Sequence, residues 1–472
     1  MKVLLIALLS IIGFLSTPAY AATTWASVQT IPAVSPPSNA RGAVRLAYDT
    51  TNNVVFAAWL DDTTGTPFFS IFNNTSGTWS TPAQIANDTT NSAVDLVYDS
   101  SAHIMVATWN DSSTNKPFYS FYNGSVWSSA AAISNAFVVF DDVRTTFDAG
   151  TGNIIAAWSD NNFPFSPFYS TYNSSTNTWA PPQVITLQQV FDDVTLTYDS
   201  GSNQVFASWL NNNTGLPSYA ILTSGVWVSG SINLTDAGSA QNKNVLLTYD
   251  ASNGQVYAAW GATNPLVSVF SNTNPTWSTP VAISILGALS SEVTLGYSTA
   301  STQVIAAWMD SGIPRYAITD KTGTTWTEGN ISSSLVDNTA ISLAFDSGLN
   351  EMFSAWSNAS GGSPANPVYS TLLTPSPLVV GSLKGAQKVN DFGIVSELYN
   401  QLDWLPPTPG LSPVLGYHIY RDGILIATLP PTQLRYQDHN RKPGVNYLYA
   451  VAAFDINGEG SKATIGIPFA VV

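Results

Sequence analysis

The sequence predicts an all-β chain: a seven-bladed β-propeller over 22–375, closed by its own amino-terminal strand, then a β-sandwich over 376–472. Three observations predict it. A small residue followed by Trp recurs at Trp59, Trp109, Trp158, Trp209, Trp260, Trp308 and Trp356, at intervals of 48 to 51. Such a period marks a repeat of one supersecondary unit. A second Trp series, Trp79, Trp127, Trp179, Trp227, Trp277 and Trp326, has one member too few, and the missing copy stands at the other end as Trp25. After residue 375 the repeat stops and the charge balance changes.

Each repeat reads as four short strands. In the first they are 43–48, 54–60, 67–72 and 78–85. The first strand ends in aromatic-Asp, as in Tyr48-Asp49, Tyr98-Asp99, Phe147-Asp148, Tyr198-Asp199, Tyr249-Asp250 and Phe345-Asp346, whereas the sixth copy has Tyr297-Ser298. Asp, Asn, Ser, Thr and Gly follow, a hairpin composition. Runs such as Val-Val-Phe-Ala-Ala-Trp59 are apolar on both faces, as a strand packed between two neighbouring sheets requires. Pro67, Pro117, Pro167, Pro217 and Pro367 open third strands, where a missing N–H is tolerated. Trp25 on a displaced fourth strand closes the ring and leaves no open sheet edge.

The residues ahead of this ring read as an export signal. Lys2 gives a positive start, 3–15 an apolar core and Ala19-Tyr20-Ala21 a cleavage site, so 1–21 is expected to be removed. No later apolar run is long enough to span a membrane as a helix. The chain has no Cys, which removes disulfides, thiolate metal sites and Cys nucleophiles. Its 15 Trp, 20 Tyr and 21 Phe must supply the buried area instead. A secreted protein, extracellular or periplasmic and without a transmembrane anchor, is the expectation.

Charge is sparse and one-sided. Residues 22–375 carry 7 Lys/Arg against 23 Asp/Glu, and 376–472 carry 7 against 7. An acidic surface of this kind repels phosphates, so nucleic-acid binding is excluded.

The turns before the second Trp, such as Asn74-Thr-Ser-Gly-Thr-Trp79 and Asp320-Lys-Thr-Gly-Thr-Thr-Trp326, resemble degenerate Asp-box hairpins of sialidase-like and lectin-type propellers. The Gly-Gly pair of kelch repeats and the Gly-His and Trp-Asp dipeptides of WD40 repeats are missing. Further on, Leu402-Asp-Trp404, Gly416-Tyr-His-Ile-Tyr-Arg-Asp-Gly423 and Pro443-Gly-Val-Asn-Tyr-Leu-Tyr-Ala-Val451 closely resemble fibronectin type III domains of secreted bacterial proteins. The resemblance implies a core Trp at 404 and a tyrosine corner at Tyr447. It implies a spacer or weakly adhesive module and no chemistry.

In a propeller, the loops from strand four to the next strand one share a face with those from strand two to three. That mouth face collects Asp61, Asp62, Asp88, Asp111, Asp141, Asp142, Asp160, Asp192, Asp193, Asp236, Glu292, Asp310 and Asp337. The Asp49 series falls on the opposite face, where binding its own turn accounts for it. Loop aromatics Phe140, Phe163, Phe165 and Phe191 join the mouth acids, whereas the recurrent Trp residues read as core. Stacking faces beside directional polar groups suit a hydroxylated ligand. The expected function is therefore secreted binding of a glycan or a cell-surface protein, with Asp61, Asp62, Asp111, Asp141, Asp142, Asp160, Asp192, Asp193, Asp310, Phe163 and Phe165 as contact candidates. Calcium stays open as a companion of the acids, although Asp61-Asp62-Thr-Thr-Gly lacks the alternating spacing of a calcium loop.

Two alternatives compete: a scaffold that binds another protein, and a carboxylate-dependent glycosidase. His103, His418 and His439 all lie away from the mouth, so a Ser-His-Asp triad there is excluded. Two acids flanking a glycosidic bond would suffice. Resemblance to sialidases would place Arg41, Arg45, Arg144 and Arg315 in an arginine cluster, with Arg41, Arg144, Arg315, Asp142 and Glu292 as the catalytic candidates. Against that stands simple charge balance, with Arg144 answering Asp141 and Asp142, and Arg45 answering Asp95 across the channel.

Overall fold

In a computed structural model the chain is all-β, built from repeated four-stranded antiparallel sheets arranged as a β-propeller, with two further sheets after them. The structure describes residues 24–468 except 33–39, 91, 137, 163–164, 191, 233–243, 285–291, 321–322, 336–338, 359–364, 374–378, 408–413, 456–457 and 461. The expected export signal, the 374–377 linker, Phe163, Phe191, Asp236 and Asp337 lie outside the described residues, as does the side chain of Arg41. The chain divides into two compact units, Trp25–Thr374 and one containing Pro375–Val472.

In the first unit seven sheets carry four or five strands each. Their innermost strands are Ala40–Asp49, Asp95–Asp99, Arg144–Asp148, Thr195–Asp199, Leu246–Asp250, Thr294–Ser298 and Ser342–Asp346. Each innermost strand lies beside the next, and the seventh lies beside the first. Just ahead of the seven recurrent positions stand Val44, Val94, Val143, Val194, Val245, Val293 and Ile341, all 0% exposed. The recurrent Trp of every second strand is at most 1% exposed, so these rings are core, as their spacing predicts. The Asp49 series also follows expectation. Asp49 Oδ1, for instance, accepts the Thr51 and Asn52 amides at 2.9 Å each.

Thr24–Trp25 and Gln29–Thr30 pair with Asn366–Leu373 of the seventh sheet. The amino-terminal strand thus covers the edge that the last repeat leaves bare.

Fourth strands depart from the reading of one continuous element. In the first sheet Thr78–Trp79 and Ala83–Gln84 are separate pieces. The cause sits on the third strand. Ser70, Ser120, Ser170, Ser268 and Ser370 each donate Oγ at 2.7 Å to the carbonyl of the residue after the fourth-strand Trp. That bond holds the strand in an irregular kink there. Where the third strand carries Ala220 or Ala317 instead, the fourth strands Val226–Ser231 and Trp326–Asn330 run unbroken. Ala26 accepts the bond from Ser370, so the amino-terminal strand behaves like its four internal counterparts that face a third-strand Ser.

The second unit has a three-stranded sheet (Gly381–Asp391, Ser396–Leu405, Arg435–Asp438) and a five-stranded one (Gly416–Arg421, Ile424–Leu429, Tyr447–Asp455, Gly458–Glu459, Ala463–Ile467). Leu402, Trp404, Tyr417, Ile419, Tyr449 and Val451 form its core. The Tyr447 hydroxyl accepts the Lys442 amide at 3.3 Å. The more deeply buried Tyr449 donates to Asp438 Oδ2 at 2.6 Å and accepts from Asn400 Nδ2 at 3.0 Å. Among the described residues no helix is long and apolar enough to cross a membrane.

Candidate functional site

At the mouth, side chains from five different sheets converge on two arginines. Arg45 Nη1 donates to Glu292 Oε1 at 3.0 Å, and its Nη2 lies 3.5 Å from Asp142 Oδ2. Arg144 Nε donates to Asp193 Oδ2 at 2.9 Å, and its Nη2 meets Asp193 again and Asp142 at 3.1 Å. Asn244 Nδ2 bridges Asp193 Oδ2 at 2.9 Å and Glu292 Oε2 at 3.1 Å. All six side chains are at least nine-tenths buried.

The register of the repeat places them. Arg144 opens its innermost strand and Arg45 holds the same register within Ala40–Asp49, and two residues before that position in successive repeats stand Ala93, Asp142, Asp193 and Asn244. The Ala93 amide donates to Asp142 Oδ1 at 2.9 Å, that of Asp142 to Asp193 Oδ1 at 3.2 Å, and that of Asp193 to Asn244 Oδ1 at 3.1 Å. A belt of amide-to-side-chain bonds therefore ties the second, third, fourth and fifth sheets in succession. Asn244, absent from the sequence-based candidates, was readable from this register had the repeats been aligned on their buried Val rather than searched for charge.

Burial sets the protonation. Burial and neighbouring Asp193 push Asp142 well above the ordinary carboxylate range, against the pull of Arg144 and Arg45. For Glu292 the order reverses: burial raises its pKa, but Arg45, Arg144 and the Asn244 amide outweigh it and hold the group at about 2. Burial also opposes the Arg144 cation, yet Asp193, Asp142 and Glu292 prevail and raise its pKa. The two cations are thus consumed by the acids around them.

A second tier is more accessible. Asp141 and Asp192 are half-buried and hydrogen-bonded to each other, Asp141 donating. Burial, the Asp192 contact and the Asp193 charge raise Asp141 to about 8, and burial raises Asp192 to about 6. At neutral pH the pair holds one proton. One oxygen each from Asp141, Asp142 and Asp193 lies within 4.8 Å of the others, an all-oxygen set in which Asp142 and Asp193 already bind Arg144.

Beside this pair stand two aromatic rings. Phe140 is 49% exposed, and its ring meets Phe165 edge-on with centroids 6.1 Å apart. Three loops knit the rings to the acids: the Phe140 amide donates to Ser159 O at 3.0 Å, Asn161 to Val138 O at 2.7 Å, and Val190 to Phe165 O at 2.9 Å. Phe165 has a φ of 57°. Equivalent turns, two residues before the third-strand Pro, use Gly65, Asn115 and Gly215 at φ of 69°, 52° and 67°. A bulky side chain costs about 1–2 kcal/mol in this left-handed region. The fold keeps Phe there against its local preference.

Other sequence-based candidates go elsewhere. Asp61 and Asp111 end second strands and bind their own turns, through Thr64 N at 2.9 Å and Thr114 N at 2.8 Å. Asp160 does the same through Asn162 Nδ2 at 3.0 Å. Asp62 is exposed on the neighbouring turn. Arg315 is neither on an innermost strand nor in a mouth loop. It lies in the third strand Ile313–Thr319, and its Nε stands 2.6 Å from Asp310 Oδ2 across a tight hairpin. The expected arginine cluster is thereby reduced, among the described side chains, to Arg45 and Arg144. Arg45 also answers Glu292 and Asp142 rather than Asp95, whose Oδ2 accepts the Thr145 amide at 2.8 Å.

No known family profile matches the chain, and no curated protein does. Among solved structures it is similar to a fungal alcohol oxidase of the AA5 family in complex with copper, at 12% identity and a TM-score of 0.55, covering 95% of this chain and 100% of that one. It is also similar to the Dos1 propeller (11% identity, TM-score 0.46, 74% of this chain and 95% of that one). A mutant NanB sialidase of Streptococcus pneumoniae shares 11% identity over 73% of this chain and 70% of that one, with a TM-score of 0.42. These likenesses speak to the fold alone.

Proposed function

We propose that the protein is an exported binding protein whose seven-bladed propeller takes a hydroxylated ligand, a glycan carried by a surface partner, at its mouth. The contact surface is the Phe140–Phe165 aromatic face with the Asp141–Asp192 carboxyl pair beside it. The carboxyl-terminal unit, read as a fibronectin type III-like module, spaces or docks the propeller. The observation that carries this reading is Phe165, a large ring kept in a left-handed turn where related turns use Gly or Asn. Strain retained against local preference points to a role for the side chain. A sugar's apolar face stacks on such rings while its hydroxyls bond the acids.

The hydrolase alternative draws no support from this arrangement. Its acids, Asp142 and Glu292, are both engaged by arginine, and Asp141 and Asp192 touch each other. Glycosidases instead keep their two carboxyls about 5–9.5 Å apart with the bond between them.

A glycan array probed with and without calcium tests the reading. Binding to defined glycans is expected, and Phe140→Ala should abolish it while the unfolding temperature holds. Silence on the array in both conditions, together with hydrolysis of a glycoside panel, would overturn it. Co-purification of a bound protein with silence in both assays would favour the scaffold reading.

A further inference from the structure

Away from the mouth, the seams between neighbouring sheets are mostly closed by aromatic rings. Phe69 of the first sheet meets Tyr122 and Trp127 of the second, with centroids 5.8 and 5.4 Å apart. Tyr119 and Phe121 meet Trp179 and Tyr172 at 5.5 and 4.7 Å. Phe206 and Tyr219 meet Phe270 and Trp277 at 5.2 and 5.5 Å, and Phe353 meets Phe72 at 5.1 Å.

Between the third and fourth sheets this packing fails. The third sheet offers Ile155 and Thr171 where the first offers Phe56 and the second Phe121, and the fourth offers Leu222 where the second and third offer Tyr122 and Tyr172. One ring contact remains, Tyr169 to Trp227 at 5.4 Å. A cavity of about 340 Å³ fills the space that rings would take. The fifth-to-sixth seam also has a single ring contact, but there the fully buried Tyr257 reaches over to the Gly323 turn and fills it.

The walls are polar where the floor is not. Asp148 and Thr151 line one side from their turn, while Asn203 and Ser224 line the other. Both of the latter hold φ of 53°, which fixes them in tight turns. Asn203 is further oriented by the Tyr198 hydroxyl, which donates to its Oδ1 at 2.7 Å and leaves the amide nitrogen out of that bond. Gln183, whose Oε1 accepts the Tyr169 hydroxyl at 3.2 Å, closes the rim. No Lys, Arg or His lines the space, so nothing there recognises an anion.

We infer that this seam is a second ligand site, taking one neutral, ring-sized polyol of the monosaccharide class. The size lies at the low end of small-molecule sites, about 300–1,000 Å³. Hydrogen-bonding groups, Asp148 the one carboxylate among them, beside Ile155, Leu222 and the Tyr169 ring match a sugar's mixed surface. The site stands independently of the mouth, since it shares no residue with it.

The test uses the full chain and saturation-transfer NMR with glucose, galactose, mannose, fucose and N-acetylglucosamine, one at a time. At least one sugar should bind. Thr171→Phe, which restores the ring found at Phe121, should weaken that binding at least tenfold with no fall in unfolding temperature. Phe140→Ala should leave it unchanged. Should Thr171→Phe fold poorly, Thr171→Val removes only the hydroxyl and should still weaken binding measurably. No binding of any of the five sugars overturns the inference, as does binding that survives both Thr171 substitutions. Loss in Phe140→Ala alone would assign the sugar to the mouth and equally dismiss the seam.

Discussion

The two units of this chain handle charge and apolar surface in opposite ways. The propeller carries 23 acids against 7 bases, yet it buries both arginines of its mouth among carboxylates. The carboxyl-terminal unit is neutral overall and leaves one pair largely in water, Arg435–Asp403 with side chains 64% and 41% exposed. It also shows solvent Phe392, Ile394 and Val395 at 67%, 97% and 63%. A closed ring brings the starts of its innermost strands together whatever their charge, so they must neutralise one another. The carboxyl-terminal unit, with two sheets in about 100 residues, has no such ring of strand starts and, being small, buries a lower fraction of its surface.

The sharpest way to break this contrast is to remove one central cation. Arg144→Met leaves Asp142, Asp193 and Glu292 short of a partner, and should destabilise the propeller by about 3–5 kcal/mol. Arg435→Ala should cost the other unit under about 1 kcal/mol. Denaturant unfolding followed by tryptophan fluorescence compares the two, and equal losses would dissolve the distinction.

Deleting residues 22–31 should come next in effect. It bares the edge of Asn366–Leu373 and takes away the Ser370–Ala26 bond, so light scattering should reveal aggregation at temperatures where the full chain stays clear.

Protonation gives a smaller and directional effect. Glu351 is buried in the seventh sheet, and burial raises it from 4.5 to about 7. The unfolded chain therefore gives up this proton first, and stability falls as pH rises from about 4.5 to 7. Glu351→Gln should remove that slope, matching the parent at pH 4 and exceeding it at pH 8 by on the order of 1–3 kcal/mol. Asp141→Asn should behave likewise, with its gain extending up to about pH 8, because burial and Asp192 hold Asp141 protonated in the fold. Identical pH profiles for parent and variants would remove burial as the cause.

The gentlest change is Phe165→Gly. Relief of the left-handed strain should raise stability by about 1 kcal/mol, offset by the lost edge contact with Phe140, while ligand binding at the mouth drops. A variant that binds as well as the parent would show that the ring is there for packing.

Much of the propeller was readable because its signals are local. Trp59 and its successors mark second strands, Pro67 and its successors open third strands, and Tyr48-Asp49 closes first strands by turn chemistry that needs no distant partner. The kinks in the fourth strands were missed because they depend on Ser70 or Ala220, residues whose small difference acts across the sheet. The mouth was read as a rim of equivalent acids. In fact Asp61, Asp111 and Asp160 serve their own turns, while Asp142 and Asp193 face Arg144 from two neighbouring sheets. The cavity at Thr171 was invisible for a related reason: it is a missing volume, and a gap shows only against the rings that fill other seams.

By itself, then, the sequence determined the repeat, the strand order within each repeat and the borrowed amino-terminal strand, since hydrophobic period and turn residues act over a few positions. Only the tertiary structure decided which charges meet. Arg45 and Glu292 are 247 residues apart, and their 3.0 Å contact exists because seven similar sheets turn the chain through a full circle. Pairing across a ring depends on its closure, and no local pattern of residues records which strand starts will face each other at the centre.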